Sequence, residues 1–239
     1  MNCSRYLKRV LVLICCIQLI ASLGYAEEVK YVMKTLNRIS GTWYTLDGNV
    51  AYNISGSTIN GKKIVDISGL AGGGSNFACT IHMQDSSTMR LSFTNAGYDK
   101  TELHQYMSTN GQSYRRSALP QYYESVGGIY LGMSENQLYA LYGVPNFTQD
   151  SHGRKQLGYS ELGLEIDIRD GMVTQITIYS YGDRAFDRSG LSAKNSPTAF
   201  RQAYGLNKDI GNYANDIGHN EYIWYSQLDN SVTLSLYWN

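Results

Sequence analysis

The segment GGIYLGMSENQLYALYGVPN (residues 127–146) contains the start, the apolar side and the end of one short helix. Ser134 can cap the first turn, and Gln137 three positions later can complete a capping box. Leu138 and Leu141 supply the apolar side, and the Gly-Val-Pro that follows stops the helix. The segment therefore predicts a short helix that packs through one side on another element.

The same pattern recurs 62 residues later, in NSPTAFRQAYG (residues 195–205). Ser196, Phe200 and Ala203 take the places of the capping serine and the two leucines. In each copy a polar loop follows, TQDSHGRK or NKDIGNYANDIGHN, and then two strands. One such unit cannot bury both its helix and its sheet, whereas two side by side can. We therefore predict, over residues 127–239, a tandem of helix-plus-hairpin units that forms one helix-covered antiparallel sheet.

Four alternating segments supply the hairpins of the two units. LGLEIDI and MVTQITIY flank Arg169-Asp170-Gly171, and EYIWYSQL and SVTLSLYWN flank Asp229-Asn230. Asp-Gly between alternating strands is a strong hairpin signal. Both turns therefore predict tight antiparallel pairs.

Several residues of the first unit resemble the SmpA/OmlA (BamE-like) family. They are the run from Ile129 to Ser134, Gly143-Val144-Pro145, and Asp170-Gly171-Met172-Val173 with Ile176. The resemblance covers residues 127–179 and 190–239, and it implies two short helices against an antiparallel sheet. The tandem is similar to the beta-lactamase inhibitory protein-like architecture. Members assist envelope assembly or bind other proteins through the sheet, but this chain differs by its missing lipobox and its additional N-terminal domain.

Residues 27–117 predict a small antiparallel β-barrel or curved sheet with a helix in front. Val29, Val32, Met33 and Leu36 share one side of the segment EEVKYVMKTLNRI, as in an amphipathic helix. About six short strands follow, with Gly, Asn, Asp or Ser at the breaks between them. The fold class that we predict for the whole chain is α+β.

The order of these elements and the sequence Gly41-Thr42-Trp43 resemble small lipocalin-like domains of bacterial exported proteins. The resemblance implies a cavity for a small apolar ligand, but about 80 residues make a narrow barrel that its own side chains can fill. The glycine-rich GLAGGGS (residues 69–75) lacks the Lys-Ser/Thr of a phosphate loop and predicts a flexible connection. Residues 118–126, polar and with a proline, predict the linker between two domains.

The N-terminus predicts export. Three basic residues precede an apolar run, and Gly24-Tyr25-Ala26 fits the site that a signal peptidase reads. We expect residues 1–26 to be a signal peptide that is cleaved after Ala26. The mature chain is then periplasmic or extracellular, in a bacterium by the family resemblance. The apolar run is too short for stable membrane insertion.

Charge and cysteine content narrow the classes of function. Removal of the leader leaves seventeen basic and twenty acidic residues, a net charge of about −3, which does not favour nucleic acid or an anionic membrane. The mature chain keeps one cysteine, Cys79, which excludes an internal disulfide and a multi-cysteine zinc site. His82 and His104 have no second ligand at metal-binding spacing. We predict no cofactor and no metal.

Motifs for catalysis are weak. Glu165 and Asp167 share one side of the strand LEIDI, with carboxyl groups roughly 6 to 7 Å apart, within the range for acid/base chemistry. Apolar residues occupy the other side of that strand, so a solvated sheet surface explains the pair better. Two hypotheses for the function rank below the leading one, which follows. The second is a carrier of a small apolar ligand in the N-terminal domain, and the third is a hydrolase that uses this carboxylate pair.

The leading hypothesis is a non-catalytic protein that binds another protein of the envelope or the exterior. Nineteen tyrosines remain beside five phenylalanines once the leader is removed, and Tyr and Trp are enriched at the energetic centres of interfaces. The candidate contact residues are Tyr159, Tyr179, Tyr181, Trp224, Tyr237 and Trp238. Because the helices can cover only one face of the sheet, part of this series should lie on the other face. The open alternative is that most of these rings are core beneath the helices.

Overall fold

A computed structural model describes residues 32–73, 76–95, 105–151 and 153–236. The predicted signal peptide, His104, Tyr237 and Trp238 lie outside the described residues.

Residues 32–39 are helical (α1). The other helices are α2 (Glu135–Tyr142) and α3 (Pro197–Tyr204), and a 3-10 turn spans Ser160–Leu162. The strands are β1 (Gly41–Thr45), β2 (Val50–Ser55), β3 (Thr58–Ile59), β4 (Lys62–Gly73), β5 (Asn76–Met83), β6 (Thr88–Asn95), β7 (Gln105–Thr109), β8 (Gln112–Arg115), β9 (Ser125–Val126), β10 (Ile129–Tyr130), β11 (Phe147–Ser151), β12 (Arg154–Tyr159), β13 (Leu164–Arg169), β14 (Met172–Tyr179), β15 (Asn215–Gly218), β16 (Glu221–Ser226) and β17 (Ser231–Leu236).

Strands β1 to β8 form a closed antiparallel barrel in sequence order, and β1 pairs with β8 to close it. Alternate residues of each strand point inward, as on β5, where Phe77, Cys79, Ile81 and Met83 are buried. The ring of Phe93 meets that of Phe77 in a stack, with centroids 5.1 Å apart. The interior side chains thus pack on one another, and the predicted antiparallel barrel within an α+β chain is confirmed.

The barrel differs from the prediction in its number of strands, which is eight rather than about six, and at the glycine-rich segment. The segment STINGKKIVDI forms two strands, β3 and β4, because Asn60 and Gly61 have positive φ (49° and 79°) and make a tight hairpin turn. The glycine-rich run is not a connection, since its first five residues complete β4. Gly69 and Gly72 have positive φ (60° and 90°) beside a register shift in the pairing with β5, which is typical of a β-bulge.

Helix α1 packs on the barrel through part of the predicted side, since Val32 and Leu36 contact the barrel core, while Val29 lies outside the described residues. Leu36 and Ile39 are buried in the barrel core, whereas Met33 is exposed. The indole N–H of Trp43 donates a hydrogen bond of 2.8 Å to the carbonyl of Ile39. The guanidinium of Arg116 lies over the ring of Trp43, 3.9 Å from its centre. The end of α1 is therefore fixed to the first strand of the barrel.

The second half of the chain forms a seven-stranded antiparallel sheet in the order β11-β12-β13-β14-β17-β16-β15. The last strands of the two units, β14 and β17, pair at its centre. Both edge strands, β11 and β15, fall in segments that the sequence predicts to be polar loops. That prediction is wrong. An edge strand can consist of polar residues, and β11, which is exposed along its whole length, lacks the apolar alternation by which a strand is recognised in a sequence.

Helices α2 and α3 pack on one face of this sheet. Each has a serine N-cap and a positive-φ glycine at its end, and the two start at an offset of 62 residues. Leu138 and Phe200 are fully buried in the same core as the sheet. Leu141 and Ala203, the second predicted contact in each helix, are exposed instead. A helix of eight residues makes only about two turns, so few of its side chains point directly at the sheet.

Two buried carboxylates hold the segment before β9 against the helix-covered face. Glu221 accepts hydrogen bonds from the backbone N–H groups of Tyr123 (2.6 Å) and Glu124 (2.9 Å). Glu124 accepts from the N–H of Arg188 and from the hydroxyl of Tyr204, both at 2.8 Å. Burial raises the pKa of Glu221 to about 8, although the two backbone donors oppose the shift. The predicted linker is thus tied to the second unit.

The barrel contacts the sheet unit directly. The N–H of Ser113 donates to the carbonyl of Asp170 at 2.8 Å. Leu46 and Tyr106, from the barrel, lie in the core cluster of the sheet. A polar cleft of about 390 Å³ runs along this contact. The division at residues 118–126 into two domains stays a prediction, and a barrel expressed alone would expose these two side chains.

Candidate functional site: the open face of the sheet

The seven-stranded sheet has two unlike faces, which the strand register identifies because directly opposed residues point to the same side. One row on the helix-covered face is Leu157–Ile166–Ile176–Leu234–Ile223, and all five are fully buried. We call the other side the open face. Its rows are Phe147–Gly158–Glu165–Thr177–Thr233–Trp224, Gln156–Asp167–Gln175–Ser235–Tyr222 and Tyr179–Ser231–Ser226.

Aromatic side chains lie along the open face. Trp224 and Tyr179 are partly exposed there. Tyr181, just beyond the end of β14, is 67% exposed and stacks on Tyr179 with ring centroids 5.3 Å apart. On the edge strand, the ring of Phe147 occupies the space that a side chain at Gly158 would need. These rings offer amphipathic contact area to solvent on a rigid sheet.

The floor of the open face consists of small hydroxyl side chains on the two central strands. Thr177, Thr233, Ser231 and Ser235 are all buried, although neither α2 nor α3 packs on this side. The hydroxyls of Thr177 and Thr233 share a hydrogen bond of 3.0 Å. Larger side chains on β13 and β16 stand on both sides of them. The open face is therefore a shallow trough with a polar floor.

A cavity of about 240 Å³ opens at one end of this trough. It is lined by Arg154, Asp167, Arg169, Thr174, Gln175, Trp224, Ser235 and Leu236. The lining combines one carboxylate, two guanidinium groups, two hydroxyls and an indole. Such a mixture suits a ligand group that is itself polar and flat.

Asp167 is the most unusual residue of this cavity. Its side chain is 2% exposed, and within the described residues neither carboxylate oxygen accepts a hydrogen bond. Nη1 of Arg154 lies 3.4 Å from Oδ2, an ion pair longer than an ordinary N–H···O bond. Burial raises the pKa of Asp167 to about 6; Arg154 and Arg169 oppose this shift, and Glu165 adds to it.

Glu165, the other predicted carboxylate, is held by its neighbours. It accepts a hydrogen bond of 2.6 Å from Nε2 of Gln156 and one of 3.2 Å from the hydroxyl of Tyr179. The interpretation of the pair as a solvated surface is wrong for Asp167, because its side chain is only 2% exposed. Of the two carboxylates, Glu165 accepts hydrogen bonds from side chains, and Asp167 accepts none within the described residues.

The predicted contact residues do not all lie on the open face. Tyr179, Tyr181 and Trp224 lie on it or at its end. Tyr159 is 4% exposed, on the helix-covered face, and its hydroxyl donates to the carbonyl of Gly143 at 3.1 Å. Tyr159 is therefore core beneath α2 and does not belong to the candidate contact surface. Tyr237 and Trp238 lie outside the described residues.

Comparison of the chain with protein-family models, with curated proteins and with solved structures finds no match. In the described part of the chain, no group of three or more His, Cys, Asp or Glu is arranged to hold a metal ion. No helix among the described residues is long and apolar enough to cross a membrane. His82, one of the predicted lone histidines, shares a hydrogen bond of 2.7 Å with the hydroxyl of Ser68.

Sequence reasoning missed three features of the site. The alternation of β13 places Asp167 on the open face but gives no sign of its burial. Phe147 directly precedes the predicted polar loop and was not assigned to a strand, because β11 lacks apolar alternation. The run of serine and threonine on β14 and β17 was available as a signal, since small β-branched and hydroxyl residues at every second position predict a polar sheet face.

Proposed function

We propose that this chain is an exported, non-catalytic protein that binds another protein of the cell envelope or the exterior through the open face. The proposal includes the predicted signal peptide and a BamE-like tandem, related to the beta-lactamase inhibitory protein-like architecture, at residues 127–239. It also includes a lipocalin-like domain at residues 27–117. The observation that carries the proposal is the trough itself: a face that neither α2 nor α3 packs on, with aromatic side chains around a polar floor.

The chemistry of the face supports a protein as the partner. Interface centres combine Trp and Tyr with satisfied polar groups on a preformed surface, and truncation of such a ring typically costs 2 kcal/mol or more of binding energy. Trp224, Tyr179 and Tyr181 stand on or beside strands whose other side is core, so little order has to be gained on binding. The trough can receive a loop or an edge of a partner.

The other two hypotheses have weaker support. A carrier of an apolar ligand needs space inside the barrel, where the rings of Trp43, Phe77 and Phe93 meet one another. A hydrolase needs two carboxylates that are free to act, but Glu165 is bound by two side chains. The raised pKa of Asp167 is also found in catalytic acids. That single feature supports a binding role equally well.

The test is affinity capture with the mature chain as bait in an extract of its own envelope, followed by quantitative mass spectrometry. Trp224→Ala and Tyr179→Ala are compared with the natural chain, and Tyr122→Ala is the control. Tyr122 is a 42% exposed tyrosine of the linker that lies off the sheet. We expect one protein to be enriched by the natural chain and by the control, and to fall at least tenfold with the two open-face variants, while the melting temperature stays within about 3 °C.

Two outcomes would contradict the proposal. If the melting temperature of both open-face variants falls well below that of the natural chain, the two rings belong to the core, and the open face is not the contact surface. If both variants fold normally and capture the same protein as the natural chain, the partner binds elsewhere on the molecule.

A further inference from the structure

Asp167 has no clear use within the fold. A carboxylate offers about four acceptor positions, and the burial of an ionised one is costly unless donors surround it. Within the described residues its oxygens accept no hydrogen bond, and the nearest cation, on Arg154, is at 3.4 Å. The side chain of Arg154 is 46% exposed, so its guanidinium sits at the rim in contact with water. An asparagine would serve the fold better at this position.

The cavity around Asp167 has the chemistry of a site for a guanidinium group. An arginine side chain presents donors in a planar fork that matches a carboxylate, and its flat face stacks on aromatic rings. Trp224 lines the same cavity as Asp167, and its indole ring offers a surface for the flat guanidinium and the methylene stem. Gln175 and Ser235 follow Asp167 on the same row of the open face, and both line the cavity.

We propose that the cavity at the end of the open face receives an arginine side chain of the partner protein, with its guanidinium on the carboxylate of Asp167 and its stem against Trp224. This inference rests on the proposed function and names the partner's anchor. Glu165 lies beside Asp167 on β13, so two carboxylates stand near the two arginines at the rim, and the empty site is close to neutral. Arginine is also among the residues most enriched at energetic centres of interfaces.

The cavity can be tested without the partner. The probe is Nα-acetyl-arginine amide, and the matched control is Nα-acetyl-citrulline amide, which has the same shape without the charge. Binding is followed by the indole N–H resonance of Trp224 in ¹⁵N spectra of the mature chain, assigned with Trp224→Phe. We expect the arginine probe to shift this resonance saturably, at a concentration at least tenfold lower than the citrulline probe. Asp167→Asn should remove the difference.

The pH dependence provides a second readout at the same resonance. The charged groups that face Asp167 are Arg154 on β12 and Glu165 and Arg169 on β13. Protonation of Asp167 removes its attraction for a cation, so the preference for the arginine probe should fall when the pH is lowered from 7.5 to 5. Equal binding of the two probes, or an unchanged preference in Asp167→Asn, would overturn the proposal.

Failure of this inference and failure of the proposed function give different results. If the probes do not discriminate while Trp224→Ala still loses the captured protein, the face binds a partner without an arginine anchor. If the arginine probe binds through Asp167 while no captured protein depends on Trp224, the cavity stands and the protein-binding function fails. If the arginine anchor and the protein-binding function are both correct, Asp167→Asn should lower the recovery of the captured protein at least fivefold without lowering the melting temperature.

Discussion

The two faces of the seven-stranded sheet each bury a carboxylate, and the two carboxylates differ in what surrounds them. On the helix-covered face, Glu221 accepts two backbone N–H bonds and fixes the linker. On the open face, Asp167 is as deeply buried and accepts none within the described residues. The covered face uses its polar groups to complete the fold. The open face carries a polar group that the fold does not need, and perturbed groups of this kind cluster at functional sites.

The same asymmetry separates neighbouring residues on one strand. Ile176 and Thr177 are adjacent on β14, and both are buried, but they point to opposite faces. We expect Ile176→Ala to lower the free energy of unfolding by about 2–5 kcal/mol, because it leaves a cavity in the core. Thr177→Ala should cost about 1 kcal/mol, the worth of one hydrogen bond to Thr233. Urea denaturation measures both, and equal losses would remove the distinction between the faces.

Glu221 makes the stability of the covered face depend on pH. Because burial raises its pKa in the folded protein to about 8, above the ordinary 4.5, the folded protein holds a proton that the unfolded chain releases at lower pH. The resulting stabilisation is complete below pH 4.5 and is lost as the pH rises through 8. We expect the natural chain to lose on the order of 1 kcal/mol per pH unit between pH 5 and 8 relative to Glu221→Gln.

Denaturant unfolding of the two chains at four pH values checks this expectation. The glutamine keeps one acceptor for the two backbone donors but cannot titrate. If the free energies of unfolding of the natural chain and of Glu221→Gln change with pH in parallel, the carboxylate stays ionised in the folded protein, held by the N–H groups of Tyr123 and Glu124.

On the open face, Asp167→Asn should stabilise the protein. Burial raises the pKa of Asp167 to about 6 from its ordinary 3.8, so its contribution to stability is present below pH 3.8 and is lost as the pH rises through 6. At pH 7.5 the natural chain carries the full cost of the buried charge, and the variant should gain about 1–3 kcal/mol in the free energy of unfolding. At pH 4 the gain should disappear. A destabilised variant at pH 7.5 would mean that the ion pair with Arg154 supports the fold.

The sequence predicts the barrel, the two capped helices and the central hairpins because each has local chemistry that is independent of its surroundings. The capping serines, the closing glycines and the Asp-Gly turn act within a few residues of themselves. The barrel strands have one wet and one buried side, which alternation reveals directly. The Asn60-Gly61 turn is local chemistry of the same kind.

What the sequence could not provide depends on neighbours from distant parts of the chain. The edge strands β11 and β15 are recruited by pairing with β12 and β16, and their own residues are mostly polar. Tyr159 and Tyr179 are both tyrosines on strands of one sheet, but the register places the first in the core and the second on the open face. Asp167 shares its cavity with Arg154, Gln175 and Ser235, which the strand order brings together. The chemistry of the candidate site is therefore visible only once the strand order is known.

The most direct test of the account is site-specific photocrosslinking in the producing cell. A benzoylphenylalanine replaces Tyr181, beside the open face, or Val144, which is 90% exposed after α2 on the helix side. We predict that irradiation gives one discrete higher-mass adduct from position 181 and none from position 144, and that Trp224→Ala in the same chain removes the adduct. An adduct from position 144 alone, or one from position 181 that persists with Trp224→Ala, would contradict the assignment of the open face as the contact surface.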